Sequence, residues 1–142
     1  DGKGMSKLVR FGVSLDKDLL DKFDALIKNT NYYNRSEAFR DLIRQELVKE
    51  EWNTNTEIAG AITLIYDHHH RELLNKVTDL QHSFQKEIIS TQHVHLDHSN
   101  CLEIIAVRGE AQKVRKLAEM LKATKGIRHA TLSMSSTGRD ID

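Results

Sequence analysis

The chain has 142 residues, 30% charged and 39% hydrophobic, with 21 basic side chains balancing 21 acidic ones. That length suits one domain or two small ones. The even charge argues against blanket electrostatic attachment to nucleic acid but leaves room for a local basic patch. No apolar run approaches the ~20 residues that span a bilayer, so no membrane partner is expected. The opening "DGKGM" carries no signal-peptide pattern, and a single cysteine cannot form an internal disulfide. A reducing, cytoplasmic setting is the expectation.

Residues 1–4 read as a remnant of an expression tag, with Met5 as the natural start. Lys7 to Ser14, "KLVRFGVS", alternates. Val9, Phe11 and Val13 share an apolar face; Leu8, Arg10, Gly12 and Ser14 share the other, which predicts a strand. A helix follows, capped by Asp16, with Leu19, Leu20, Phe23, Leu26 and Ile27 on one stripe. "NTNYYN" breaks it. A second helix opens at Asn34, with Glu37 completing a capping box in which Asn replaces Ser or Thr. Its stripe is Ala38, Phe39, Leu42, Ile43 and Leu47, and it runs to about Trp52.

"NTNT", residues 53–56, reads as a polar linker. Beyond it come a strand (58–66), a helix (69–85), two strands (87–96 and 101–108), a helix (110–124) and a strand (127–134). The order βαββαβ is the ferredoxin-like arrangement, a four-stranded antiparallel sheet with two helices on one face. The residues after 134 read as a loose tail. The fold class is α+β, with domains expected at 5–52 and 57–134.

A single amphipathic strand leaves its backbone groups unpaired, and residues 1–52 hold no second one. Another copy of the chain supplies the partner: two strands pair about a two-fold axis with four helices behind. Such a ribbon fits the DNA major groove, and the helix start at Asn34 to Glu37 offers backbone amides to phosphate. "RFGVSLDKDLLDKFD" followed by "NRSEAFRDLIR" resembles the ribbon-helix-helix repressors. That family reads bases with alternate strand side chains, which the resemblance carries onto Arg10, Gly12 and Ser14. Gly12 departs from the pattern, since a polar side chain is usual there.

The stretch "HVHLDHSNC" raises a metal site. His93 and His95 are two apart on a strand and share a face, with Val94 and Leu96 expected toward the core. An odd hairpin loop sets His95 opposite Cys101 and gathers all three side chains on one face; a four-residue loop turns the thiol away. His82, near the end of the preceding helix, is a candidate fourth ligand. Glu103, two beyond Cys101, could orient a ligand imidazole or stand as a surface carboxylate. His68, His69 and His70 could form a second, weaker metal site or simply a solvated helix start. His98 and His129 read as surface residues.

The spacing of His82, His93, His95 and Cys101, with "HVHLDHSNCLEI" and "YDHHHREL", resembles the nickel-responsive transcriptional regulators (NikR). The resemblance implies an ACT-like second domain that forms a homotetramer, a dimer of dimers. It implies Ni(2+) held by His93, His95 and Cys101 of one chain and His82 of another. It also implies a palindromic double-stranded DNA operator and a cation site using Glu37 and Asp41, which could equally face water. Three nitrogens and a thiolate in a plane suit Ni(II) or Cu(II). No catalytic residue is expected: the histidines alternate on a strand and line no evident pocket. The competing expectation is a ribbon-helix-helix repressor whose ACT-like domain senses an amino acid or other small molecule.

Overall fold

The structure, a computed structural model, describes residues 6–142. The chain divides into two compact units, one ending at Asp41 and one comprising Leu42–Asp142.

In the first unit, α1 spans Lys17–Asn29 and α2 begins at Arg35. Asp16 holds the N-cap position of α1, but its side chain makes no capping bond. The helix ends where Thr30 turns its amide and hydroxyl back onto the Leu26 carbonyl, and Asn31 follows at φ 60°. Asn34 does cap α2: its Oδ1 accepts the Glu37 amide at 2.9 Å. The Glu37 carboxylate pairs with Arg40 instead of closing the box. Phe23 and Phe39 join the helices with ring centroids 5.1 Å apart, and Arg35 grips Asp24 through two 2.8 Å bonds.

Residues 6–14 carry no regular structure in the single chain. Among the described residues the predicted strand has no ladder partner, so its backbone groups make no sheet bonds there. Its apolar face is open, with Phe11 73% and Val9 72% exposed, and α1 has no buried residue. The unit's core is incomplete as it stands.

In the second unit, α2 continues to Asn53, and β1 (Glu57–Tyr66), α3 (Arg71–Ser83), β2 (Ile88–His95), β3 (Cys101–Glu110), α4 (Ala111–Ala123) and β4 (Ile127–Met134) follow. The sheet order is β2-β3-β1-β4, all antiparallel. Alternate residues of β1 and β3, among them Ile62, Leu64, Tyr66, Ile105 and Val107, are buried with Val77 of α3 and Leu117 and Leu121 of α4. Each fully buried aliphatic side chain contributes roughly 1.5–3 kcal/mol. Trp52, the last large side chain of α2, is buried in this core and donates its indole N–H to the Ser135 carbonyl at 2.8 Å.

Residues 53–56 are a pinned turn. The Asn55 carboxamide accepts the Gln112 amide at 2.9 Å, and the Thr56 carbonyl accepts the Ala111 amide at 3.2 Å. Both bonds satisfy free donors at the start of α4.

Candidate metal centre and nucleic-acid interface

The β2–β3 hairpin fixes the chemistry. Its five-residue connection, 96–100, is the odd case: His95 pairs with Cys101, Val94 with Leu102 and His93 with Glu103. The loop is held by Asp97, whose Oδ1 accepts the amides of Ser99 and Asn100 at 2.8 Å each. Directly paired residues share a face, so His93, His95, Cys101 and Glu103 point the same way.

That face is the helix-covered one, opposite to expectation for this strand. Val94 and Leu96 point to the open side, and Leu96 is 54% exposed. The reason is a bulge: Ile88 pairs with Val107 but Ser90 pairs with Ala106, leaving Ile89 as an extra residue. One inserted residue turns every later side chain to the other face. The two histidines thereby come to the same side as the buried Cys101 thiol.

Glu103 organises the centre. It is buried, and both oxygens are engaged: Tyr66 donates its hydroxyl to Oε2 at 2.6 Å, and the Gln81 amide nitrogen donates to Oε1 at 2.7 Å. His93 Nε2 lies 3.5 Å from Oε1, while Nδ1 of the same ring lies 3.9 Å from Cys101 Sγ. Burial, then the Glu103 charge, pushes the Cys101 thiol above its ordinary range. Burial and the same carboxylate push Tyr66 up, so its phenol stays a donor.

His82 does not join this group within one chain. Gln81 faces the sheet, and the next residue of an α-helix is turned by about 100°; His82 is exposed. The His95 ring meets His68 edge-on, with centroids 4.7 Å apart. His68 in turn lies against His69 (4.1 Å), and His69 against His98 (4.9 Å). Asp67 accepts from the His69 amide at 2.9 Å and approaches its Nδ1 at 3.0 Å. Among the described residues, Asp67, His68 and His69 alone form a group of three whose potential ligand atoms lie within 4.8 Å of one another. His68 Nδ1 is buried without a hydrogen-bond partner. The place of His98 in this cluster was not legible from its hairpin position.

Donor chemistry at the hairpin fits a borderline-soft divalent ion: two imidazoles and a thiol on one face, with a carboxylate behind one ring. In the first unit, Arg10, Gly12 and Ser14 are exposed, and a Cβ at Gly12 would meet nothing within 4 Å. Glu37 pairs with Arg40, and Asp41 accepts a bond from the Tyr32 hydroxyl.

A two-helix unit of ribbon-helix-helix type joined to an ACT-like α+β sheet domain is the class this architecture defines. Residues 59–135 match the family model described as the NikR C-terminal nickel binding domain, and residues 9–50 match that of the ribbon-helix-helix proteins of the CopG family. The chain is 62% identical to a protein of Syntrophus aciditrophicus over 135 residues, covering 95% of this chain and 98% of that one. It is 59% identical to one of Chlorobium limicola over 134 residues (94% and 100% covered) and 54% identical to one of Solibacter usitatus over 138 residues (96% and 99%). All three are provisionally named nickel-responsive regulators. The chain belongs to the nickel-responsive regulator family.

Proposed function

We propose that this protein is a nickel-responsive, sequence-specific DNA-binding transcription regulator, in which metal held between subunits promotes operator binding. The observation that carries the reading is the convergence of His93, His95 and Cys101 on one sheet face, with Glu103 fixed behind His93. Residues 5–52 serve DNA binding, and residues 57–134 serve metal binding and assembly. His93, His95 and Cys101 of one chain hold Ni(2+) together with His82 of another. The outward turn of His82 supports that division, because it removes the side chain from its own chain's site. A bound ion supplies a cross-link between sheet domains and so ties a homotetramer together.

The protein's own groups do the rest. Glu103 takes the His93 Nε2 side and leaves Nδ1 toward the thiol, which orients the imidazole as a ligand. Cys101 gives up its proton when it becomes a ligand. The open apolar face of residues 8–15 pairs with a second copy, and the resulting ribbon carries Arg10 and Ser14 to base edges. Two ribbons tied to one tetramer meet two half-sites of one operator, so affinity rises through effective concentration. The coupling between metal and DNA is reciprocal and of the order of 1–3 kcal/mol.

A weaker cation position at Asp67, His68 and His69, beside His98, is supported by the partnerless His68 Nδ1. Glu37 and Asp41, the other cation position that the resemblance implies, are engaged by Arg40 and by the Tyr32 hydroxyl, so a cation there would have to displace or share those partners.

The test is operator affinity with and without stoichiometric nickel at fixed salt, for the native chain and Cys101→Ala. The native chain gains affinity with nickel and the variant does not. A variant that responds normally overturns the ligand assignment. Thermal stabilisation by amino acids but not by nickel would favour a small-molecule sensor.

A further inference from the structure

The last eight residues, which the sequence presents as a loose tail, lie back along α2. Beyond β4, the Ser135 amide still bonds the Ala59 carbonyl at 3.1 Å, and the Ser135 carbonyl receives the Trp52 indole. Ser136 Oγ lies 3.3 Å from a Glu51 carboxylate oxygen. The chain then turns at Gly138, whose φ of +80° favours glycine and whose amide donates to Ser136 Oγ at 3.0 Å. Arg139 reaches toward Glu57 at 3.8 Å. Further along, Arg44 donates to the Ile141 carbonyl at 3.2 Å and pairs with Asp142 at 3.4 Å. The tail therefore runs from Trp52 back to Arg44, about 12 Å of helix at 1.5 Å per residue.

Arg44, Val48, Glu51 and Trp52 recur at spacings of four, three and one, so they mark a single face of α2. The opposite stripe of Leu42, Ile43 and Leu47 remains open to solvent. Two strengths of contact hold the near face. Trp52 is buried and fixed; the Arg44 contacts are exposed and weak. Such a clamp has one buried end and one end held only by solvent-exposed contacts.

We propose that residues 135–142 are a releasable strap that holds the C-terminal half of α2 against the sheet domain, opening at Arg44 while Trp52 stays seated. The same helix begins in the first unit, with the Asn34 cap and Arg35. The strap thus sets how firmly the C-terminal half of a helix common to both units is held. Its release is a local event that leaves the sheet intact.

The experiment is hydrogen exchange on the full-length protein, on a chain ending at Thr137, on Arg44→Ala and on the combined variant. Amides of residues 44–53 exchange about two- to fivefold faster in either single variant, as expected for loss of exposed charge-assisted contacts. Amides of β1 and β3 are unchanged. The combined variant is no faster than either alone, because both remove one clamp. Gly138→Ala, which strains the turn, moves exchange in the same direction. Unchanged exchange in residues 44–53, additive effects of the two variants, or an equal rise in β1 and β3 would each overturn the strap.

Discussion

Glu103 stands behind His93, with Oε1 3.5 Å from Nε2 and the opposite ring nitrogen 3.9 Å from Cys101 Sγ. The carboxylate selects which imidazole nitrogen faces the thiol. Glu103→Ala removes that selection and leaves the buried Tyr66 hydroxyl without its acceptor. Nickel affinity, measured by chelator competition, falls about 10- to 100-fold, and stability falls by about 1–3 kcal/mol. Glu103→Gln keeps the shape and retains most of the stability, which separates the two effects.

If the fourth ligand comes from another chain, two crippled proteins repair each other. His82→Ala retains His93, His95 and Cys101; Cys101→Ala retains His82. Neither alone binds nickel tightly. Co-refolded mixtures regain tight sites, because one chain supplies three ligands and its neighbour supplies His82. Metal stoichiometry of the mixture checks this. No recovery on mixing would place all four ligands in one chain.

Nickel affinity rises with pH between 5 and 8. Burial and the Glu103 charge hold the Cys101 thiol above its ordinary value, so across this range the metal-free thiol keeps its proton. Binding expels that proton, and for one proton released affinity changes up to about tenfold per pH unit. Isothermal titration in buffers of different ionisation enthalpy reads the released protons directly. A flat profile would remove the thiol from the ligand set.

Gly12 gives a gain-of-specificity test. Its φ is not in the left-handed region, and a side chain there would meet open space. Gly12→Thr leaves thermal stability unchanged and adds a base preference of roughly 1–3 kcal/mol at one position of each half-site. Arg10→Ala acts oppositely, lowering operator affinity far more than affinity for random DNA. Selection from a randomised operator library measures both.

Much of the fold was legible in the residues themselves. The helix expected at 69–85 runs Arg71–Ser83, and the strand expected at 127–134 is Ile127–Met134. Apolar periodicity carried those assignments because each element buries one face. The parity of the 96–100 loop was legible as an alternative, and the structure takes the odd branch. The strand expected at 7–14 is not formed in the single chain, in keeping with the sequence, which offers it no second strand among residues 1–52. Two features were not legible. The Ile89 bulge left no mark beyond two adjacent isoleucines, and it reversed the expected directions of Val94 and Leu96. The polar residues of 53–56 looked like a tether, yet Asn55 and Thr56 cap α4 through tertiary bonds that no local pattern announces.

The irregularity at Ile89 has an evolutionary corollary. Ile89 has no partner across the ladder, so losing its codon would straighten the edge strand and leave every other pair in place, with His93 and His95 still opposite Glu103 and Cys101. A natural homologue one residue shorter here would therefore keep its metal response. Length at this point is spare, whereas an odd change in the 96–100 loop would turn the thiol away from both imidazoles.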